Sequence, residues 1–190
     1  MLYPGAARVV TLYDGLLQID ADLAAKSKAA GCPHCGGPLD FAVWERHPRG
    51  LPKREDRTWW RLGMCCRRDG CRRRVLPPSA LFLGRKVFFG AVILVSVASQ
   101  QRRIVGVTAD KLCKLFGMSR ETLKRWISFF RHDFPESWLW KRVRGRISAE
   151  VRDDRLPDDL LAQYDHRHGP GEAALAACLT FLASAAFQAS

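Results

Sequence analysis

Two short cysteine-bearing stretches constrain this chain more than any other feature: CPHCGG at 32–37 and CCRRDGC at 65–71. In the first, Cys32 and Cys35 form a C-x-x-C with Pro33 between them and Gly36 and Gly37 behind. A turn this tight lets backbone amides point at two thiolates that share one ion. Glycine after the second cysteine accepts the positive φ that such a turn needs. One knuckle supplies two ligands, and a structural zinc takes four. The second stretch is the candidate for the other two, with Gly70 directly before Cys71.

Cys65 and Cys66 compete for the third ligand position. RTWWRLGMCC reads as a strand, and side chains alternate along a strand. Trp60, Leu62, Met64 and Cys66 share one face, which is uniformly apolar, while Trp59, Arg61, Gly63 and Cys65 share the other. A structural zinc sits on the packed side. The site predicted is therefore one zinc ion on Cys32, Cys35, Cys66 and Cys71, with Cys65 as the alternative to Cys66. His34 and His47 are near enough in sequence to replace a cysteine, although a histidine inside a knuckle points outward more often than it ligates. A thioredoxin-like redox pair would need a βαβ setting, and hairpin signals follow the C-x-x-C instead. MLYPGAARVV has no basic start followed by a clean apolar run, so the sequence points to the cytoplasm, where disulfides are rare. Cys113 and Cys178 fall in apolar helical stretches and are expected in the core.

The net charge of +12 is concentrated: residues 41–75 carry +7 and residues 102–146 carry +8, while the first 40 residues carry −1 and residues 147–190 carry −4. Charge placed like this points to a polyanionic partner. Arg67, Arg68, Arg72, Arg73 and Arg74 bracket the second knuckle, and Arg54, Arg57 and Arg61 precede it. A cysteinyl zinc is anionic and some cations offset it. The surplus suits phosphate. A hydrophobic content of 47% argues against a disordered chain. The longest apolar run, VFFGAVILVSVAS, is shorter than the roughly 20 residues needed to span a bilayer. It reads as a buried helix over 84–99, and no membrane partner is expected.

The remaining pattern is mostly helical. A helix is expected over 8–30, stopped by Gly31. FAVWERHP and RTWWRLGMCC read as strands around the polar tip RGLPKRED, and RVLPPS as extended chain. PESWLWKRVRGRIS is amphipathic and basic, DDRLPDD reads as an acidic linker, and an Ala-rich helix ends the sequence. Trp138 and Trp140 could stack on bases, but core anchoring is the commoner role.

TADKLCKLFGMSRETLKRWI has the pattern of a helix-turn-helix. Leu112 and Phe116 face inward from the first helix, Gly117 takes a left-handed turn, and Met118 plugs the corner. Leu123 and Trp126 pack the second helix back, and Cys113 is the small residue at the crossing. Thr108 and Ser119 suit the two N-caps. The outward residues of the second helix include Arg120, Glu121, Thr122, Lys124 and Arg125, and with Ser119 they are positioned to meet base edges in a major groove. Lys141, Arg142, Arg144 and Arg146 would grip phosphate.

A cysteine ribbon followed by a helix-turn-helix resembles the DNA-binding front end of bacterial insertion-sequence transposases of the ISXO2-like type. CPHCGG, CCRRDGCRRRVLPPS and the helix-turn-helix carry the resemblance, over roughly residues 32 to 131. It implies element-DNA recognition, with a mobile-element recombinase or transposase as a further partner, and a nucleoid-associated location. Those transposases continue into an RNase H-like domain with three spaced carboxylates. Here the later carboxylates cluster in DDRLPDD with no sheet-forming stretch beside them, so catalysis is not implied. Two other classes compete: a nuclease using Asp153, Asp154, His166 and His168, and an RNA-binding or protein-assembly ribbon.

The expected fold is α+β, mainly helical, with a small β-hairpin zinc ribbon followed by a helix-turn-helix helical domain. The expected boundaries are an N-terminal helical segment at 1–31, the ribbon at 32–80, the helix-turn-helix domain at 81–146, and an acidic linker with a C-terminal helix at 147–190. The function expected is zinc-dependent, sequence-specific duplex DNA binding by an accessory protein or transcriptional regulator that is not itself an enzyme.

Overall fold

The computed structural model describes residues 6–47, 49, 59–83 and 88–187. It is an α+β fold, mainly helical, with a small antiparallel sheet. Arg54, Arg57 and most of the expected hairpin tip lie outside the described residues.

Helix α1 runs Ala6–Ala30. Leu12, Leu16, Asp20, Leu23, Ala24 and Ser27 recur at helical spacing and are all buried. Gly31 ends the helix at φ 79°, and a Cβ there would sit 3.2 Å from the Gly36 carbonyl oxygen. The end of α1 thus abuts the first cysteine turn.

The two expected strands are each broken in the middle. β1 (Leu39–Phe41) pairs with β4 (Met64–Cys66), and β2 (Trp44–Arg46) pairs with β3 (Trp59–Arg61). The register is the same on both sides of the break, since Phe41 faces Met64 and Trp44 faces Arg61. The Ala42 amide bonds the Gly63 carbonyl within the gap at 2.8 Å. Gly63 is needed there because the Trp44 ring occupies the place of a side chain: a Cβ would lie 2.1 Å from it. A short β5 (Arg74–Val75) adds to the far edge of β4.

The hairpin does not bury one face along its length, which corrects the uniform apolar face expected from alternation. Near the cysteines, Leu39, Met64 and Cys66 pack with Ala24 and Cys32 in a small cluster of their own. Farther out the buried face reverses. Trp59 packs edge-on against Tyr13 and Phe89, and Arg61 is only 3% exposed, whereas Trp60 is 48% exposed. The inner half closes around the thiols while the outer half docks on the helices.

Those helices share one core. α2 (Gly90–Gln101) is buried nearly all round, and residues 84–87 of the helix expected over 84–99 lie outside the described residues. α3 (Ala109–Phe116) and α4 (Arg120–Ser128) follow, and α4 runs through a wider π-type turn at Phe129–Asp133 into α5 (Phe134–Glu136). α6 (Trp138–Val143) leads through a 3₁₀ turn towards α7 (Asp158–His168) and α8 (Glu172–Phe187). Residues from α1 to α8 join a single hydrophobic cluster. Residues of the segments 1–31, 81–146 and 147–190 all contribute to that cluster.

The acidic stretch packs against the helices. Leu156 is fully buried, Asp158 is 4% exposed and paired with Arg102 and Arg155, and Asp159 pairs with Arg152. Gln101 donates to the Leu156 carbonyl at 2.7 Å. Asp158 thus meets one arginine 56 positions away and one three positions away, and Asp159 meets arginines of its own segment. His166 and His168 lie in the last turn of α7. Among the described residues, no helix is long and apolar enough to cross a membrane.

Candidate metal centre and basic surface

Cys32, Cys35, Cys66 and Cys71 converge, with all four sulfurs within 4.8 Å of one another. The Cys32 and Cys71 sulfurs are 3.8 Å apart, and those of Cys35 and Cys66 are 3.5 Å apart. A tetrahedral ion with metal–sulfur bonds of about 2.3 Å sets its sulfurs about 3.8 Å apart. A disulfide would need about 2.05 Å. The four thiols are therefore spaced to hold one metal ion. Cys65 stands apart, its sulfur against the Arg72 carbonyl at 3.4 Å.

Each half of the site is a turn closed by its own backbone. Gly36 donates to the Cys32 carbonyl at 2.7 Å, and Cys32 donates to the Gly37 carbonyl at 2.8 Å. Gly36 takes φ 69°, and Gly37 has its α-carbon against the site, where a Cβ would lie 3.2 Å from the Cys66 sulfur and 3.3 Å from that of Cys35. In the second turn Cys71 donates to the Arg68 carbonyl at 3.1 Å, and Gly70 takes φ 83°. The Arg68 guanidinium crosses to the Cys35 carbonyl at 2.8 Å and ties the two turns together.

The electrostatics follow from these turns. The Gly37 amide donates to the Cys35 sulfur and pulls its thiol down to about 7, towards the thiolate a metal requires. Amides of Arg68 and Arg73 reach the Cys66 and Cys71 sulfurs in the same way. Burial outweighs that help at Cys66 and pushes its thiol up to about 12. A cation in the cluster would reverse that preference.

On the helical side, Thr108 caps α3 by accepting from Lys111, and Ser119 caps α4 by accepting from Thr122. Gly117 joins the helices at φ 62°, and Leu112, Phe116, Met118, Leu123 and Trp126 are buried. The other face of α4 is exposed. Arg120 there is held by Asp110 of α3 through two hydrogen bonds, and Arg125 lies 4.0 Å from Glu121. Lys124 has no ion-pair partner among the described residues.

The arginines beside the cysteines divide by use. Arg67 is paired with Asp40, and Arg68 buckles the two turns. Arg73 meets His34 Nδ1 at 3.2 Å, and Arg72, left-handed at φ 46°, lies 3.8 Å from Asp69. Arg74 is exposed on β5, across the strand from Cys65. Arg61 is withdrawn from any phosphate surface: it is buried and donates to the Pro77 carbonyl at 2.7 Å. Trp140 is a core anchor at 1% exposure, and Trp138 is exposed. The Asp110 partner of Arg120 gave no sequence signal, because it lies ten positions away across a turn. No family model, curated protein or solved structure matches the chain.

Proposed function

We propose that this chain is a zinc-dependent, sequence-specific duplex DNA-binding protein, an accessory protein or regulator of transposase-like, mobile-element type that lacks catalysis of its own. The observation that carries the reading is the α3–α4 pair. Two capped helices meet at a left-handed glycine, Leu112, Phe116, Met118, Leu123 and Trp126 are buried with Cys113 half-buried beside them, and Arg120, Glu121, Lys124 and Arg125 are left on the exposed face of the second helix. This geometry supports the helix-turn-helix reading, in which the second helix would enter a major groove by its N-terminal end. The zinc ribbon, with Cys32, Cys35, Cys66 and Cys71 as ligands, would present Arg72, Arg73 and Arg74 to the phosphate backbone. Zinc is the ion that four thiolates in a closed site favour. Of the carboxylates that a nuclease would use, Asp153 is engaged otherwise: it accepts from Arg144 and from Trp140 Nε1.

A second reading has its own support. Phe41, Val43 and Trp60 are between 44% and 49% exposed on one face of the hairpin, which would suit a protein-assembly or RNA-binding ribbon. A gel shift at fixed salt, comparing duplex DNA with a structured RNA, separates the two. Retardation of the duplex at lower protein concentration is the expected result. Preference for the RNA, or for neither, would overturn the duplex reading.

A further inference from the structure

The proposed reading leaves open what makes the exposed face of α4 selective rather than merely basic. Arg120 is the first residue of α4, where a cation is opposed by the helix dipole. Its side chain is nonetheless fixed. Nε donates to Asp110 Oδ1 at 2.6 Å and Nη2 donates to Asp110 Oδ2, a bidentate pair between the first turns of two adjacent helices. Both side chains are about two-thirds exposed, at 67% and 66%. Exposed pairs add little to folding stability. The pair is better explained by what it does to the guanidinium.

Arginine carries five donors in a rigid plane. Asp110 takes the two on the side-on edge, Nε and one hydrogen of Nη2. The end-on fork, one hydrogen each on Nη1 and Nη2, has no partner among the described residues. That fork matches the N7 and O6 acceptors of a guanine in the major groove. The carboxylate also places negative charge beside Arg120, which disfavours a phosphate oxygen at that spot and leaves a neutral base edge as the better partner. Resting on the duplex-DNA reading above, we infer that Asp110 is a specificity-determining positioning residue: it holds Arg120 with its end-on fork presented to guanine and keeps it off the backbone.

The experiment selects bound sequences from a pool of short duplexes with a randomised centre, using zinc-loaded wild type, Asp110→Asn, Arg120→Ala and the double variant. Circular dichroism and thermal melting confirm that each is folded. Wild type should enrich a site containing a guanine. Asp110→Asn should bind the unselected pool as well as wild type or better, yet lose about tenfold in its preference at that one base pair. In the Arg120→Ala background the Asp110→Asn change should have no further effect on preference, whereas a purely structural role for Asp110 would still act there. An unchanged preference in Asp110→Asn overturns the inference while leaving duplex binding intact. If wild type enriches no duplex at all, the duplex reading itself fails and takes this inference with it.

Discussion

At the scale of single residues, neighbouring cysteines have opposite fates. Cys66 is fully buried with its sulfur 3.5 Å from that of Cys35, while Cys65 turns to a backbone carbonyl on the other face. Cys66→Ser should therefore abolish bound metal and Cys65→Ser should retain about one ion per chain, as read by elemental analysis. A second residue-scale prediction concerns Asp20. Its carboxylate accepts from the Ser79 hydroxyl and from the Ala80 and Leu81 amides, pinning α1 to the segment after β5. Asp20→Ala would leave those donors buried without a partner, at a cost of about 3 kcal/mol in urea unfolding. Burial raises the carboxyl above its ordinary range, although the Ser79 and Ala80 bonds pull the other way. A folded-state value above the unfolded one gives a contribution that is complete below the unfolded value and is lost as pH rises through the folded one. Wild type should thus lose stability relative to Asp20→Asn as pH rises above the usual carboxylate range.

At the scale of elements, the turn between α3 and α4 and the break in the hairpin depend on glycine for different reasons. Gly117 has open space around a Cβ but a left-handed backbone, so Gly117→Ala should cost about 1 kcal/mol in thermal unfolding without displacing its neighbours. Gly63→Ala instead drives a methyl into the Trp44 ring, so it should loosen the hairpin and speed its proteolysis. The helix pair was legible from sequence because its signals are local: Thr108, Gly117 and Ser119 act within a few residues of where they stand. The cysteine pairs were legible because ligand chemistry fixes their spacing. The reversal of the buried face between Met64 and Trp59 was not, since it depends on Tyr13 and Phe89, far away in sequence. The burial of Asp158 was not legible for the same reason, because Arg102 lies 56 positions before it.

At the scale of the molecule, two hydrophobic clusters divide the labour. Among the described residues, Leu39 and Met64 are the large fully buried members of the cluster beside the cysteines, with Leu62 and Val75 partly buried against it, and each of the first two contributes about 1.5–3 kcal/mol. A structural zinc supplies on the order of 10–16 kcal/mol, so the ion and not the core should hold that part together. The helical body has its own cluster from α1 to α8. Chelation should accordingly expose the cysteine turns to protease while most of the helical dichroism persists. Collapse of the helical signal along with the metal would mean that the two clusters unfold as one.

The central claim is that the basic face of α4 and the arginines after the second cysteine turn meet duplex DNA. Binding of zinc-loaded protein to a short fluorescent duplex, followed by anisotropy over a range of salt, tests it most directly. If about six phosphates are neutralised, log K should fall against log salt with a slope of roughly −5, and changing Arg72 and Arg73 together to alanine should make the slope shallower by about two. A slope near zero, or one untouched by those changes, would contradict the account.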